Sequence, residues 1–286
     1  MQRVVSFLAA LALACAAWAQ LPNKPGSFRF AAIGDSGTGG RAQYETAVRL
    51  AELQKKFAFQ TVVMLGDNIY GGQRPRDFEN KFELPYKPLL DSGVKFFAAL
   101  GNHDSPSQVS YRPFNMSGQR YYTFQPREGI HFFALDSTRL DRAQLQWLEG
   151  ELGRAGSDWK IVYFHHPIYS SGAKHGSSLG LRAVLEPLFI KYGVAAVLAG
   201  HDHFYERTQP QQGVHYFVDG GSAHLRAGNA RSAPFVAKAF DRDNSFVVME
   251  IDAGRLYFQA ISRTGETVDA GSFERPPAPR AAIPAK

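Results

Sequence analysis

Five apolar runs in this chain each stop on a polar residue able to ligate a cation. "FRFAAIGD" ends at Asp35, "TVVMLGDNIY" reaches Asp67 and Tyr70, and "VKFFAALGNH" reaches Asn102 and His103. "WKIVYFHH" ends on His165 and His166, and "VAAVLAGHDH" on His201 and His203. Near-continuous apolar runs of this length suit strands buried on both faces. In open α/β sheets, sites form beyond the carboxyl ends of such strands. Further strands are predicted over 130–135, 214–218, 245–251 and 255–261, the last two joined by a hairpin at Asp252-Ala253-Gly254. Apolar residues at helical spacing predict helices over 41–57 and 180–193, with Pro187 splitting the second. The expected class is α/β (α+β): helices over a mixed sheet, closed by an antiparallel C-terminal part.

Composition limits the chemistry of the strand ends. The single cysteine, Cys15, falls within "MQRVVSFLAALALACAAWAQ". That segment has a basic start, an apolar stretch and Ala17-Trp18-Ala19, the pattern of a secretory signal peptide over residues 1–19. Its apolar stretch is shorter than the roughly 20 residues of a membrane anchor. The mature chain then has no cysteine, which excludes a disulfide framework, a thiolate zinc site and a cysteine nucleophile. The net charge of +6 is spread along the chain with no basic cluster, so no nucleic-acid scaffold is expected and small anionic substrates are. Residues 26–272 read as one domain, and the Pro/Ala-rich stretch 273–286 as a disordered tail.

Each strand end alone has an ordinary explanation, because Gly-Asp after a strand commonly makes a turn or caps a helix. Five together, offering carboxylate, carboxamide and imidazole, point to one metal site. The order GD…GDxxY…GNH…H…GHxH resembles the calcineurin-like metallophosphoesterases, and within them the purple acid phosphatases of the small tartrate-resistant type. The resemblance spans about residues 28 to 207. It departs from most of the superfamily at position 37, where Asp35-Ser36-Gly37 replaces an Asp-x-His pair. The resemblance to purple acid phosphatases implies that Tyr70 can supply the missing donor.

The resemblance implies two packed mixed β-sheets flanked by helices, a four-layer sandwich. It implies a dinuclear centre of Fe³⁺ with Fe²⁺, Zn²⁺ or Mn²⁺, a phenolate favouring the trivalent ion. Asp35, Asp67, Tyr70 and His203 would hold one metal; Asp67, Asn102, His165 and His201 the other. Of the adjacent pair, His165 matches the ligand and His166 the pocket rim. His201 and His203 are expected to point the same way along an extended segment. The implied activity is that of a secreted or periplasmic, monomeric acid phosphatase without a stable membrane anchor. It would hydrolyse small phosphate monoesters by attack of a metal-activated hydroxide. His103 and His175 match the substrate-binding and proton-donating histidines, the donor being either one, and Asn68 is expected at the phosphate. Asp104 is expected to orient His103. A phosphodiesterase on the same frame is the alternative enzyme, and a phosphate-holding protein without turnover the rival from another class. Loops 71–92 and 105–128 are expected to wall the pocket, the aromatics of the latter serving either the leaving group or packing. His224 can approach the site, Asp136 reads as a turn or cap, and His131, His215, Tyr205, Glu206 and Arg207 read as structural.

Overall fold

The computed structural model describes residues 21–277, so the signal segment and the end of the tail (278–286) lie outside the described residues. Among the described residues, thirteen strands form two sheets. They are β1 (Phe28–Ile33), β2 (Thr61–Met64), β3 (Lys95–Ala98), β4 (Tyr122–Arg127), β5 (Ile130–Ala134), β6 (Trp159–Phe164) and β7 (Ala196–Ala199). After these come β8 (Tyr205–Thr208), β9 (His215–Asp219), β10 (Val236–Phe240), β11 (Ser245–Asp252), β12 (Arg255–Ser262) and β13 (Thr267–Glu274). The six-stranded sheet runs β13-β12-β11-β1-β2-β3, and the seven-stranded sheet β10-β8-β9-β7-β6-β5-β4. The centres, β1-β2-β3 and β5-β6-β7-β9, are parallel, and the margins antiparallel.

Side-chain parity builds the layers. Alternate residues of a strand face opposite ways, and the buried residues sort accordingly. Phe30, Ala32, Val63, Val247 and Met249 meet Phe132, Ile161, Tyr163, Leu198 and Phe217 between the sheets. The opposite face of the six-stranded sheet, including Ala31, Ile33, Val62 and Phe96, packs under α1 (Arg41–Phe57) and the segment holding α2 (Pro75–Phe78) and α3 (Lys87–Asp91). The outer face of the other sheet, Phe133, Val162, Phe164 and Val197, packs under α4 (Arg142–Arg154) and α5 (Leu179–Tyr192). The result is the four-layer sandwich.

Two expectations change. Helix α5 runs unbroken through Pro187 and ends at Gly193, whose left-handed backbone (φ 64°) caps it. Leu185 and Phe189, on either side of the proline, are both buried against the sheet, and that packing holds the turn that one lost backbone bond weakens. The domain extends to Glu274, where β13 pairs Leu256 with Phe273 and Arg255 with Glu274, so residues 273 and 274 belong to the sheet and not to a tail. Loops 71–92 and 105–128 pack on each other and on β3: Tyr111 lies 4.3 Å from Phe78, Phe114 4.9 Å from Phe82, and Phe82 5.1 Å from Phe96, ring to ring. Of the aromatics in the second loop, Tyr111 and Phe114 serve packing.

Candidate metal centre

Both sheets deliver side chains to one point. Asp35 follows β1, Asp67 and Tyr70 follow β2, Asn102 and His103 follow β3, His165 follows β6, and His201 and His203 follow β7. Asp35 (φ 53°), Asp67 (φ 52°) and His201 (φ 70°) adopt the left-handed region, which non-glycine residues enter at a cost of about 1–3 kcal/mol each. Strain at three donors marks turns shaped for a site rather than for stability. The turn at His201 also corrects the extended-segment expectation: the two imidazoles converge because the backbone folds between them.

Two glycines set the spacing of these turns. A Cβ on Gly37 would lie 1.8 Å from the Asn68 carbonyl oxygen, so position 37 has no room for a histidine. The Tyr70 N–H donates to the Gly37 carbonyl at 2.9 Å, which brings the phenol in instead. A Cβ on Gly101 would lie 2.2 Å from both Asp67 N and Asp67 Oδ1.

The donors form two overlapping groups. Tyr70 OH donates to Asp35 Oδ1 at 2.9 Å and lies 3.4 Å from His203 Nε2, which is itself 3.1 Å from Asp35 Oδ1. His165 Nε2 lies 3.0 Å from Asn102 Oδ1, 3.1 Å from His201 Nδ1 and 3.5 Å from Asp67 Oδ1. The other His165 nitrogen is 2.9 Å from the Leu65 carbonyl and must donate to it, leaving Nε2 with a lone pair. One proton on His201 satisfies one contact; Asn102 and Asp67 still present oxygens to that lone pair. A cation satisfies all of them, and donor atoms of Asp35, Asp67 and His165 lie within 4.8 Å of one another. The residues present therefore fit a pair of cations.

Electrostatics agrees. Burial, then the Asp67 carboxylate, pushes the Asp35 carboxyl well up. Burial, then Asp35 and Asp67, pushes the Tyr70 phenol far above its usual range. Burial and neighbouring imidazoles hold His165 far down and His201 at about 2, while burial and then Arg226 hold His203 at about 4. The imidazoles are neutral and free to ligate, and added positive charge relieves Asp35.

The flanking residues sort differently. His103 lies 4.9 Å from Tyr70 ring to ring, and its backbone N–H donates to Asp67 Oδ1 at 2.9 Å. His175, on an exposed loop, stacks 4.2 Å from His201. His224 does approach, at 4.3 Å from His203 and 5.1 Å from Tyr70. Asn68 does not face the site: it is fully buried, and its amide donates to the Ala99 carbonyl at 2.8 Å and Asp104 Oδ2 at 2.9 Å. The turn after Asp67 rotates its neighbour inward. Asp104 does not hold the His103 ring. It accepts from the N–H groups of Asn68, Ile69 and Gly101 at 2.8–3.1 Å, tying the turns after β2 and β3 together. Asp136 caps a turn through the N–H groups of Thr138 and Arg139. Tyr205 and Arg207 both bind Asp269, Glu206 accepts from the Ser171 N–H, His131 pairs with Asp158, and His215 stacks on Phe273. His166 is closer than a rim position: its ring is 4.5 Å from His201, with Nδ1 3.0 Å from Ser137 Oγ. Arg226 had no signal in the sequence beyond its place two residues after His224.

Residues 28–205 match the calcineurin-like phosphoesterase family, and the chain belongs to it. Within that family it is similar to purple acid phosphatases. Tartrate-resistant acid phosphatase type 5 of Rattus norvegicus is 28% identical over 303 residues, spanning 88% of this chain and 92% of its own. The Homo sapiens protein of the same name is 27% identical, over 85% and 89%. The Arabidopsis thaliana protein named Fe(3+)-Zn(2+) purple acid phosphatase 12 is 28% identical, over 80% of this chain and 54% of its own. Among solved structures, purple acid phosphatase PPD1 from yellow lupin superposes with a TM-score of 0.73 at 19% identity, over 90% of this chain and 55% of that one. GAP50, described as the anchor in the inner membrane complex of Plasmodium, superposes at 0.75 with 20% identity, over 88% and 90%. At these identities the likeness is one of fold, and one fold carries different roles. Function rests on the side chains.

Proposed function

We propose that this protein is a phosphatase that hydrolyses small phosphate monoesters at a dinuclear metal centre. The convergence of seven donor side chains from five strand ends on two overlapping positions that share Asp67 carries the reading. Asp35, Asp67, Tyr70 and His203 would hold one ion, and Asp67, Asn102, His165 and His201 the other. Tyr70 favours trivalent iron in the first position, because a half-buried phenol beside two acids ionises only next to a strong positive charge. When bound, such a pair supplies Lewis acidity toward water and toward phosphate oxygens. His103 packs beside Tyr70 and His175 beside His201, and these are the groups able to hold a proton at the leaving oxygen. The buried donors exclude bulk water from one side of the cluster, while exposed His175 and His103 leave the substrate's way in open. The leader over residues 1–19 supports export to the periplasm or the medium.

The test is turnover of 4-nitrophenyl phosphate and of its bis-ester by protein loaded with Fe³⁺ and Zn²⁺. The monoester is expected to be the better substrate. Loaded protein that binds phosphate yet releases none from either ester refutes the assignment.

A further inference from the structure

The strand β9 is followed by a stretch that returns across the centre, and it carries a cation that the metal-ligand pattern leaves unassigned. The Arg226 N–H donates to the His203 carbonyl at 2.9 Å, fixing this residue beside a donor of the first cation position. Two residues earlier, His224 packs its ring 4.3 Å from His203. The same stretch is stitched to the loop that carries His175. The Ala173 N–H donates to the Asn229 carbonyl at 2.9 Å, the Lys174 N–H to Asn229 Oδ1 at 3.1 Å, and the Arg231 N–H to Ser171 Oγ at 3.2 Å. Arg226 therefore sits where two hydrogen-bonded loops meet over the cluster, and its charge is felt at His175, His203 and His224 alike.

Its guanidinium lacks what such a group normally has. Nη1 is buried without a hydrogen-bond acceptor. Arg29 and Arg49 also bury an unpartnered nitrogen, but each is ion-paired, with Glu250 and Glu52. Arg226 makes no ion pair among the described residues. The nearby acid Asp202 accepts instead from Ser170 Oγ and the Gly176 N–H. A guanidinium stays charged and presents five donors in a rigid fork suited to phosphate. Anchored beside His203 through its backbone, with a side-chain donor enclosed and unanswered, it is built to receive an anion.

We propose that Arg226 recognises the dianionic phosphoryl group of the substrate, binding the terminal oxygen that a monoester has and a diester lacks. A monoester's phosphoryl group has three terminal oxygens and a diester's two; with two of them held by the cations, the third would be left for this side chain. In a diester that position carries a second ester group, which offers no charge to a guanidinium. Arg226 thus sets preference for monoesters, a role that rests on the phosphatase reading above but is tested separately from it.

The experiment compares wild type, Arg226→Ala and Arg226→Lys, each loaded with Fe³⁺ and Zn²⁺ and checked for equal metal content. For Arg226→Ala, kcat/KM for 4-nitrophenyl phosphate is expected to fall by about 30-fold, the scale of a lost hydrogen bond to a charged group. Bis(4-nitrophenyl) phosphate should change by less than about 3-fold, and Arg226→Lys should recover part of the loss. Equal losses on both esters, or none on either, overturn the proposal. Calorimetric binding of inorganic phosphate to the same loaded proteins reads the contact without turnover. A 10-fold or greater weakening in Arg226→Ala supports it, and unchanged affinity refutes it even if the wild type proves inactive on every ester.

Discussion

Replacing Gly37 with alanine should disable the centre while leaving the fold standing. Gly37 does not use the left-handed backbone region, so alanine meets no φ strain there. Only contact distances decide the outcome. The added Cβ would stand 1.8 Å from the Asn68 carbonyl oxygen, 2.2 Å from its carbon and 2.6 Å from Ile69 N, all backbone atoms. Relief requires the 67–70 turn to retreat by more than about 1 Å, since carbon and oxygen rarely approach closer than about 3 Å. That turn carries Asp67 and Tyr70, and metal distances tolerate only about 0.2 Å. Overpacking of this kind typically costs about 1–3 kcal/mol of stability. The expected result is a cooperative urea transition shifted down by about 2 kcal/mol, native-like far-ultraviolet dichroism, and at least 100-fold weaker retention of one metal against a chelator. Activity should fall in step with metal content. Gly180→Ala serves as control: nothing lies within 4 Å of its Cβ, and in the first turn of α5 alanine should be neutral or slightly stabilising. If Gly37→Ala retains both metals with wild-type affinity, the claim that this close approach sets the ligand geometry is wrong.

Other outcomes follow from the same geometry. Tyr70→Phe should abolish the visible iron–phenolate absorption of Fe³⁺-loaded protein while retaining the fold; an unchanged spectrum would remove Tyr70 from the metal. Stripping metals should destabilise the protein, because facing acceptors lose the charge that reconciles them. At free metal near a thousand times Kd the loaded form gains about 4 kcal/mol, roughly 8–16 °C in Tm, and coincident melting curves would contradict a built cation site. His215, stacked on Phe273, is held at about 4 by burial and then by Arg207. A histidine depressed below its ordinary value of about 6.5 adds stability that is full above that pH and lost as pH falls toward 4. His215→Phe should flatten the Tm–pH curve between pH 6.5 and 4 relative to wild type, and parallel curves would deny the linkage.

The strands legible in the sequence and those that escaped it differ in where they sit. Runs such as "FRFAAI" and "WKIVYF" became β1 and β6, both inside their sheets and buried along most or all of their length. Those unread were β4, β10 and β13, each at a sheet margin, and short β8 next to β10. Edge strands are partly solvated and tolerate Pro126, Lys238 or Gly271, residues that dilute an apolar pattern. The donor residues were readable for the same reason as the central strands: each ends an unmistakable apolar run.

What the amino-acid order determined by itself was the set of donor types at the strand ends, the exclusion of thiol chemistry from the region it reads as the domain, and the family those motifs resemble. Direction was decided only in three dimensions. The turn after Asp67 sends Asn68 inward to Asp104 and brings Tyr70 back beneath Gly37, while the turn at His201 sends His201 toward His165 and His203 toward Asp35. Arg226 acquires meaning only because two loops meet over the cluster. Motif spacing reports which residue types lie close along the chain. Which way a side chain faces depends on backbone dihedrals and on neighbours hundreds of residues away, and these exist only once both sheets have packed.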